Sequence, residues 1–590
     1  MTHIKELELM ANKLRIHSLE STTAAGSGHP TTCMSMAEIM SCLFFSEMEK
    51  DDEFILSKGH AAPILWAAYA EAGIVNPADL KNLRKFDSVL EGHPTPRMYM
   101  VKAATGSLGQ GLSVGVGMAL AKKLQSNDGR TYVVMGDGEI AEGSVWEAAN
   151  SAAHYNLNNL CAIVDVNRLA QSGPTMHGHD MNIYKSKFEA FGWDAEIING
   201  HKVKEVLNSL KKAKSSSKPY AILAKTFKGR GVSFLEDEEG WHGKALPKDL
   251  LKKALEEIGE SKINLESKVQ EKKLPKVIYN DFEITKYTPG EMIATRTAFG
   301  SALVQLGKKN KNIVVLDGDV KNSTMTERFF KEFPDRSFEM FIAEQNMIGA
   351  TIGFSALGFI PFTATFGAFL TRAYDFIRMA QYSDANIKIV GSHAGVSIGE
   401  DGPSQMGLED LSMFLAMPDS VIFYPSDAVS TEILVREMAK HRGITYMRTT
   451  REKTPVLYDE KEKFEISGLK VLKKSKKDKA LVIGAGVTVH EALKAYEALQ
   501  KKKINIRVID LYCIKPVDET ALQMNAKDCK NKVIVVEDHY SNGIGSVVSV
   551  VLGPVRHLYI KHLPRSGKPE QLRAKYKIDA NAIIEEVMKK

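Results

Sequence analysis

The chain has 590 residues, too many for one ordinary hydrophobic core, and its 44% hydrophobic and 25% charged residues are those of a soluble globular protein. Its net charge of +6 is spread over lysine-rich faces such as VLKKSKKDKA (471–480) and QKKKINIR (500–507), which argues against a nucleic-acid surface and suits anionic small substrates. Cys33, Cys42, Cys161, Cys513 and Cys529 form no C-x-x-C pair and have no histidine at metal spacing, so they read as buried thiols in a reducing, cytoplasmic compartment.

In chain order, MTHIKELELMANKLRIHSLESTT predicts a charged amphipathic helix rather than a secretory signal, because it lacks a long apolar core. Residues 1–245 then alternate apolar runs with helical patterns, the signature of a parallel sheet covered on both faces. Two of these runs share an ending. Tyr132–Met135 stops at Gly-Asp-Gly-Glu, and Leu160–Val164 stops at Asp165-Val166-Asn167. One helical crossover separates them, so they are expected to be neighbouring strands whose carboxyl ends bring Asp137 and Asn167 to one sheet edge, where open α/β sheets bind ligands. A carboxylate and an amide oxygen are hard donors, suited to Mg²⁺ or Ca²⁺ rather than zinc. Mg²⁺ commonly keeps positions for phosphate oxygens, which points to a diphosphate.

Upstream, ATGSLGQGLSVGVGMALA (104–121) is a glycine-rich turn entering a helix, whose free amides and positive end can hold phosphate. Gly-Asp-Gly alone also reads as an ordinary tight turn. Asn167 and the glycine-rich helix entry at matched spacing favour the phosphate site.

Residues 246–286 change character: they are charged, poor in large apolar groups, and carry a proline near their end, as a linker with one helix would. Alternation resumes in NIVVLDGDV (312–320), FEMFIAEQN (338–346), NIKIVGSH (386–393) and SVIFYPSD (420–427). The uncharged IGATIGFSALGFIPFTATFGAFL (348–370) is interrupted by glycines, threonines and Pro361 and has no second span beside it. It is expected to be a buried helix followed by a buried strand, not a membrane segment. A third βαβ unit opens at ALVIGAGVTVHEALKAYEALQKKKINIRVIDL (480–511), whose lone G-x-G is a weak dinucleotide signal. The expected organisation is three α/β domains with mainly parallel sheets, at 1–245, 287–460 and 461–590, with the linker at 246–286.

GDG followed about thirty residues later by Asn167 resembles the thiamine-diphosphate binding motif. GSGHPTT, LSKGHAAP, EGHPTP, ATGSLGQGL, KTFKGRG, WHGK, DGDVKNST, AEQNM, GSHAGVSIGEDGPSQM and RTTR follow one another in the order of the transketolase family's signatures, from about residue 10 to the end. The resemblance implies a thiamine-diphosphate-binding fold with a C-terminal transketolase-type domain. It also implies the activity: reversible transfer, by way of the cofactor, of a two-carbon ketol unit from a ketose phosphate such as xylulose 5-phosphate. The acceptor would be an aldose phosphate such as ribose 5-phosphate or erythrose 4-phosphate, in the pentose phosphate pathway.

By the same resemblance the cofactors are thiamine diphosphate and Mg²⁺, with Ca²⁺ or another divalent cation able to substitute. Asp137, Asn167 and the carbonyl of Leu169 would bind the metal. Thr32, His60, Gly106, Ser107, Leu108, Gly138, Asn167, Lys228, His242, Glu344, Phe369 and Gln405 would contact the cofactor. Glu344 would act on the aminopyrimidine ring, where an apolar setting keeps its proton on longer, and Phe369 would stack on that ring. His29, His60, His93 and His242, each in a Gly- or Pro-containing loop, would carry proton transfers, with His29, His93 and His242 facing substrate. Arg296, Ser323, His393 and Arg451 would hold the substrate phosphate, and Asp401 would bond its chiral hydroxyl. Gln405, which stands where many members carry histidine and matches the animal type, would bond a hydroxyl without shuttling its proton. The segment 46–55 is shorter than in many members.

The family arrangement implies a homodimer with active sites at the subunit interface. The diphosphate would lie on the first domain of one subunit and the pyrimidine on the second domain of its partner. Relatives of the 1-deoxyxylulose-5-phosphate synthase type, and formaldehyde-accepting ones, share most of these residues. The WHGK and GEDGPSQ loops favour transketolase, and a non-catalytic scaffold is disfavoured because every matched position holds a competent side chain.

Overall fold

The computed structural model describes residues 2–272 and 279–589. Residues 273–278, part of the expected linker, lie outside the described residues. The chain divides into two compact units. One takes in the described residues up to 272 with Ile348–Gly358 and Asp375–Ala385, and the other takes in the remainder.

The first unit opens with the helix His3–Ala25, capped where Thr2 accepts from the Lys5 amide and ended by Gly26 in the left-handed region at φ 62°. Its Leu7, Met10, Ala11 and Leu14 are fully buried, at the spacing of one helical stripe. Five strands follow: β1 (Glu53–Leu56), β2 (Thr131–Gly136), β3 (Leu160–Val166), β4 (Asp194–Asn199) and β5 (Tyr220–Lys225). They form an all-parallel sheet in the order β1-β2-β3-β5-β4. As the two apolar runs predict, β2 and β3 are neighbours, pairing Met135 with Val164 and Gly136 with Asp165. Every residue of both is buried, the state that near-continuous apolar runs adopt when helices cover both faces. Each large aliphatic side chain so buried contributes about 1.5–3 kcal/mol relative to exposure.

The glycine-rich turn leads into the helix Gly111–Leu124. A Cβ on Gly117 would meet the Ala350 carbonyl oxygen at 2.0 Å, and one on Gly353 would meet that of Val114 at 2.2 Å. Gly117 and Gly353, one on each of two helices, therefore permit backbone-to-backbone helix packing. The uncharged stretch is the helix Glu344–Ala356 and a wholly buried strand, as expected, and among the described residues no helix is long and apolar enough to cross a membrane.

The second unit contains β6 (Met292–Ala294), β7 (Ile313–Asp317), β8 (Ser337–Glu339), β9 (Ile360–Phe366), β10 (Lys388–Ser392), β11 (Val421–Phe423), β12 (Thr445–Arg448) and β13 (Lys453–Pro455). These are followed by β14 (Lys470–Lys473), β15 (Asp478–Gly484), β16 (Asn505–Asp510), β17 (Cys513–Lys515), β18 (Val533–Val536) and β19 (Arg556–Leu558). One sheet runs β17-β11-β12-β10-β9-β7-β8 and another β14-β16-β15-β18-β19, each parallel apart from one antiparallel edge strand, β17 or β14. β6 and β13 pair separately. The edge strand β17 comes from the stretch expected to build the third domain, yet it pairs with β11 through Phe423 and Cys513. Three residues are too few to show a strand period in the sequence. All five cysteines are free and buried.

Candidate active site

Asp137 lies just past β2. Its carboxylate accepts from the amide of Gly138 at 3.0 Å, the amide of Arg168 at 2.8 Å and Thr175 Oγ1 at 2.9 Å. Burial, then the neighbouring Asp165, pushes its carboxyl up to about 6. Just past β3, Asn167 Oδ1 accepts from the Leu169 amide at 3.2 Å, and the Leu169 carbonyl accepts from Lys228 Nζ at 2.7 Å. Arg168, between them, turns the chain at φ 62°. A carboxylate, an amide oxygen and a main-chain carbonyl thus meet beyond two adjacent strand ends, the donor types of a hard cation. Among the described residues no group of three or more His, Cys, Asp or Glu could hold a metal, so a cation here would need ligand oxygens from elsewhere.

The surroundings fit an anionic cofactor. Thr32 Oγ1, on the short helix Pro30–Ser35, and His29 Nδ1 are buried without a protein partner. Lys228 Nζ stands between Leu169 and His242 Nδ1, 2.9 Å from the latter, on the wall of a cavity of about 240 Å³. The donor set and these unpaired groups suit a diphosphate with a divalent cation.

The glycine-rich turn differs in one respect from expectation. Of its amides, Gly109 donates to Glu139 at 2.9 Å and Gly111 to Ser57 Oγ at 3.1 Å, so the helix entry is partly occupied by the protein itself. Glu139, which also accepts from Gly136 at 3.0 Å and from Ser57, ties this turn to the end of β2. Gly106, Ser107 and Leu108 lie ahead of these bonds. Gly106 sits at φ 126°, and a Cβ there would meet the His93 ring at 2.8 Å. Ser107 Oγ donates to Asp375.

The four loop histidines, far apart in sequence, come together. His29 lies 5.3 Å from His60, 6.4 Å from His93 and 5.1 Å from His242 between ring centroids, and His60 lies 5.5 Å from His242. Burial is the first cause that depresses each of them: His29 to about 3, His242 to about 4, His60 strongly, and His93 in the same direction. Arg84 adds to this for His29 and His93, and Lys228 and Lys58 for His242. All four are uncharged at neutral pH.

In the second unit, Glu344 opens its helix, buried, with Arg372 Nη1 3.2 Å away. The apolar setting expected for it also holds this guanidinium, which comes from the turn that starts at Phe369. Phe369 stacks on Phe366 at 4.9 Å, and Phe366 stacks on His393 at 4.0 Å. Arg296 Nη1 donates to the Ser323 carbonyl at 2.8 Å and lies 3.4 Å from His393 Nε2, while its Nε is buried and unpaired. Burial, then Arg296 and Arg451, lowers His393 to about 3. Arg451 donates to Asp401 at 3.1 Å, so two residues expected to bond different parts of a substrate are paired with each other. Gln405 is half-buried in the turn Pro403–Gln405, and its Nε2 donates to Ser404 Oγ at 3.4 Å.

Nothing in the motifs singles out Arg84 or Arg372, and Glu139 stands there only as the last residue of the Gly-Asp-Gly-Glu ending. Lys58 and Asp165 lie only two residues ahead of His60 and Asn167, and that proximity was the one available signal.

Three family models match the chain: the transketolase thiamine diphosphate binding domain over residues 7–294, the pyrimidine binding domain over 291–456 and the C-terminal domain over 469–583. Transketolase of Homo sapiens is 49% identical over 99% of this chain and 97% of its own length. Transketolase-like protein 2 of Mus musculus is 49% identical over 98% of this chain and 96% of its own. The crystal structure of transketolase from Campylobacter jejuni superposes with a TM-score of 0.88 at 26% identity, covering 100% of both chains.

Proposed function

Because the chain belongs to the transketolase family, we propose that it moves a two-carbon ketol unit between sugar phosphates, from xylulose 5-phosphate or a similar ketose to ribose 5-phosphate or erythrose 4-phosphate. Asp137, Asn167 and the Leu169 carbonyl would hold a divalent cation, Mg²⁺ in the first instance. Thr32, His60, Gly106, Ser107, Leu108, Gly138, Lys228 and His242 would hold the diphosphate end of thiamine diphosphate, and Glu344, Phe369 and Gln405 its ring. Bound there, the cofactor supplies the carbanion chemistry that no side chain can.

The protein's part is positioning and proton handling. Lys228 directs an N–H at Nδ1 of His242, which leaves that imidazole's own proton on Nε2. His29 and His93, neutral beside Arg84, can accept a proton from a substrate hydroxyl. Arg296 and Arg451 offer planar forks to a phosphate, with Ser323 and His393 alongside. The single observation that carries this reading is the convergence of the four histidines in the unit that also carries the hard-donor triad of Asp137, Asn167 and Leu169.

We read residues 1–245 as the diphosphate and metal domain, 287–460 as the pyrimidine domain and 461–590 as the C-terminal domain, joined by 246–286. The diphosphate residues and Glu344 lie in different units, and the reading is completed by a cytoplasmic homodimer in which each cofactor is shared between two copies.

The deciding experiment incubates the purified chain with xylulose 5-phosphate and ribose 5-phosphate, with and without thiamine diphosphate and Mg²⁺. A seven-carbon sugar phosphate appearing only with cofactor is expected. Carbon dioxide released from pyruvate and glyceraldehyde phosphate, with no seven-carbon product, would reassign the chain to the deoxyxylulose phosphate chemistry.

A further inference from the structure

Asp165, one residue before the end of β3, is fully buried and accepts four hydrogen bonds from side chains. Thr226 Oγ1 donates to Oδ1 at 2.5 Å. Ser35 Oγ at 2.6 Å, Asn167 Nδ2 at 3.0 Å and the Lys58 ammonium all donate to Oδ2. Lys58 is itself 1% exposed. A carboxylate of this kind has no proton to give, so every partner must present a donor.

Each partner stands close to a residue that the proposed function uses. Ser35 follows Thr32 by one helical turn, Lys58 precedes His60 by two residues, and Thr226 precedes Lys228 by two. Asn167 is itself a proposed metal ligand. The four segments come from separate places in the chain, and this carboxylate is the point at which they meet. Its effect on Asn167 is specific, because an amide has two unlike ends. With the NH₂ end facing Asp165, the oxygen faces the Leu169 turn, where it accepts the Leu169 amide. The flipped amide would set oxygen against oxygen in a buried site, which burial penalises heavily.

We propose that Asp165, paired with Lys58, is a positioning residue for the divalent cation: it fixes which end of the Asn167 amide faces the metal and pins the segments bearing Thr32, His60 and Lys228 around the diphosphate. This rests on the functional reading above. Partners that orient metal ligands in this way alter metal affinity by roughly 10- to 100-fold when replaced.

The test follows Mg²⁺ binding rather than turnover. The full-length chain is held at saturating thiamine diphosphate and titrated with Mg²⁺, with the change in tryptophan fluorescence as the signal and melting temperature and circular dichroism recorded alongside. The variant Asp165→Asn/Lys58→Met removes both charges together, so no unpaired ion is left behind. Its Mg²⁺ half-saturation is expected to rise ~10- to 100-fold with native circular dichroism; a folded variant that matches wild type overturns the proposal.

Should that variant fail to fold, Ser35→Ala/Thr226→Val keeps both charges and removes two of the clamps. A rise of ~3-fold or more is expected from the loosened carboxylate, and an unchanged titration overturns the proposal. A purely structural ion pair would lower the melting temperature without moving the Mg²⁺ midpoint. If wild type itself shows no Mg²⁺-dependent binding of thiamine diphosphate, the functional reading fails instead, so the two failures are distinguishable.

Discussion

The carboxylate of Asp137, past the end of β2, accepts the main-chain N–H of Arg168, past the end of β3, at 2.8 Å. This bond closes the edge of the sheet into one loop cluster, with Thr175 Oγ1 on the same oxygen. Replacing Asp137 by alanine removes the only carboxylate of the proposed cation site. Affinity for thiamine diphosphate in the presence of Mg²⁺, measured by calorimetry, is expected to fall at least ~100-fold. Thr175→Val, which removes one neutral hydrogen bond, is expected to cost less than ~10-fold. Equal losses in the two variants would show that Asp137 acts only as a turn.

Glu344 is buried at the start of its helix. Glu344→Gln keeps its shape and removes its acid–base chemistry. The turnover number is expected to fall by roughly 10²- to 10⁴-fold at saturating cofactor, with cofactor binding and melting temperature little changed. Steady-state kinetics beside a thermal melt check this, and turnover near the wild-type value would remove Glu344 from the mechanism.

The pairing of Arg451 with Asp401 at 3.1 Å leaves both side chains about half exposed, so the fold does not depend on them. Arg451→Ala is expected to raise KM for a ketose phosphate ~10- to 100-fold, the loss of a charge-assisted bond, with kcat nearly unchanged. Hydroxypyruvate, which has no phosphate, provides the control, and its KM should not move. A similar rise in both would place Arg451 away from the phosphate.

His29 is depressed from 6.5 to about 3 by burial and by the charges of His242, Arg84, His93 and Lys228. The unfolded chain therefore takes up the proton first as pH falls. The stability that neutral His29 contributes is complete above pH 6.5 and is lost progressively toward pH 3, a window set by its two pKa values. Between about pH 7.5 and about pH 5, wild type should lose ~1 kcal/mol more stability than His29→Asn, after allowing for partial solvent screening. Urea titrations of the cofactor-free proteins at the two pH values measure this, and parallel losses would mean that His29 is charged in the folded state.

The strand ends that carry Asp137 and Asn167 were legible because β2 and β3 are continuous apolar runs broken by small oxygen-bearing residues, a pattern with few alternatives. The uncharged stretch after Glu344 was legible for a related reason, since glycine and proline within it contradict a membrane span. The histidine cluster was legible only through family motifs. Residues 29, 60, 93 and 242 share no periodicity, and only the folded loops bring the rings of the other three within about 5 to 6.5 Å of His29. Asp165 was visible as part of the oxygen-bearing ending of its run, but its clamping role was not, because three of its partners come from other segments. The guanidinium of Arg372 beside Glu344 was hidden for the same reason, as was the capture of two helix-entry amides by Glu139 and Ser57. Side-chain contacts between distant segments leave no local mark in a sequence.

The most direct test of the shared site uses two variants that are each expected to be inactive, Asp137→Ala and Glu344→Ala. If one cofactor draws Asp137 from one copy and Glu344 from its partner, a mixed dimer carries one doubly damaged site and one intact site. Unfolding the two variants together and refolding the mixture should restore activity to about a quarter of the wild-type value, the statistical share of intact sites. A refolded mixture that forms dimers yet stays as inactive as either variant alone would contradict the account.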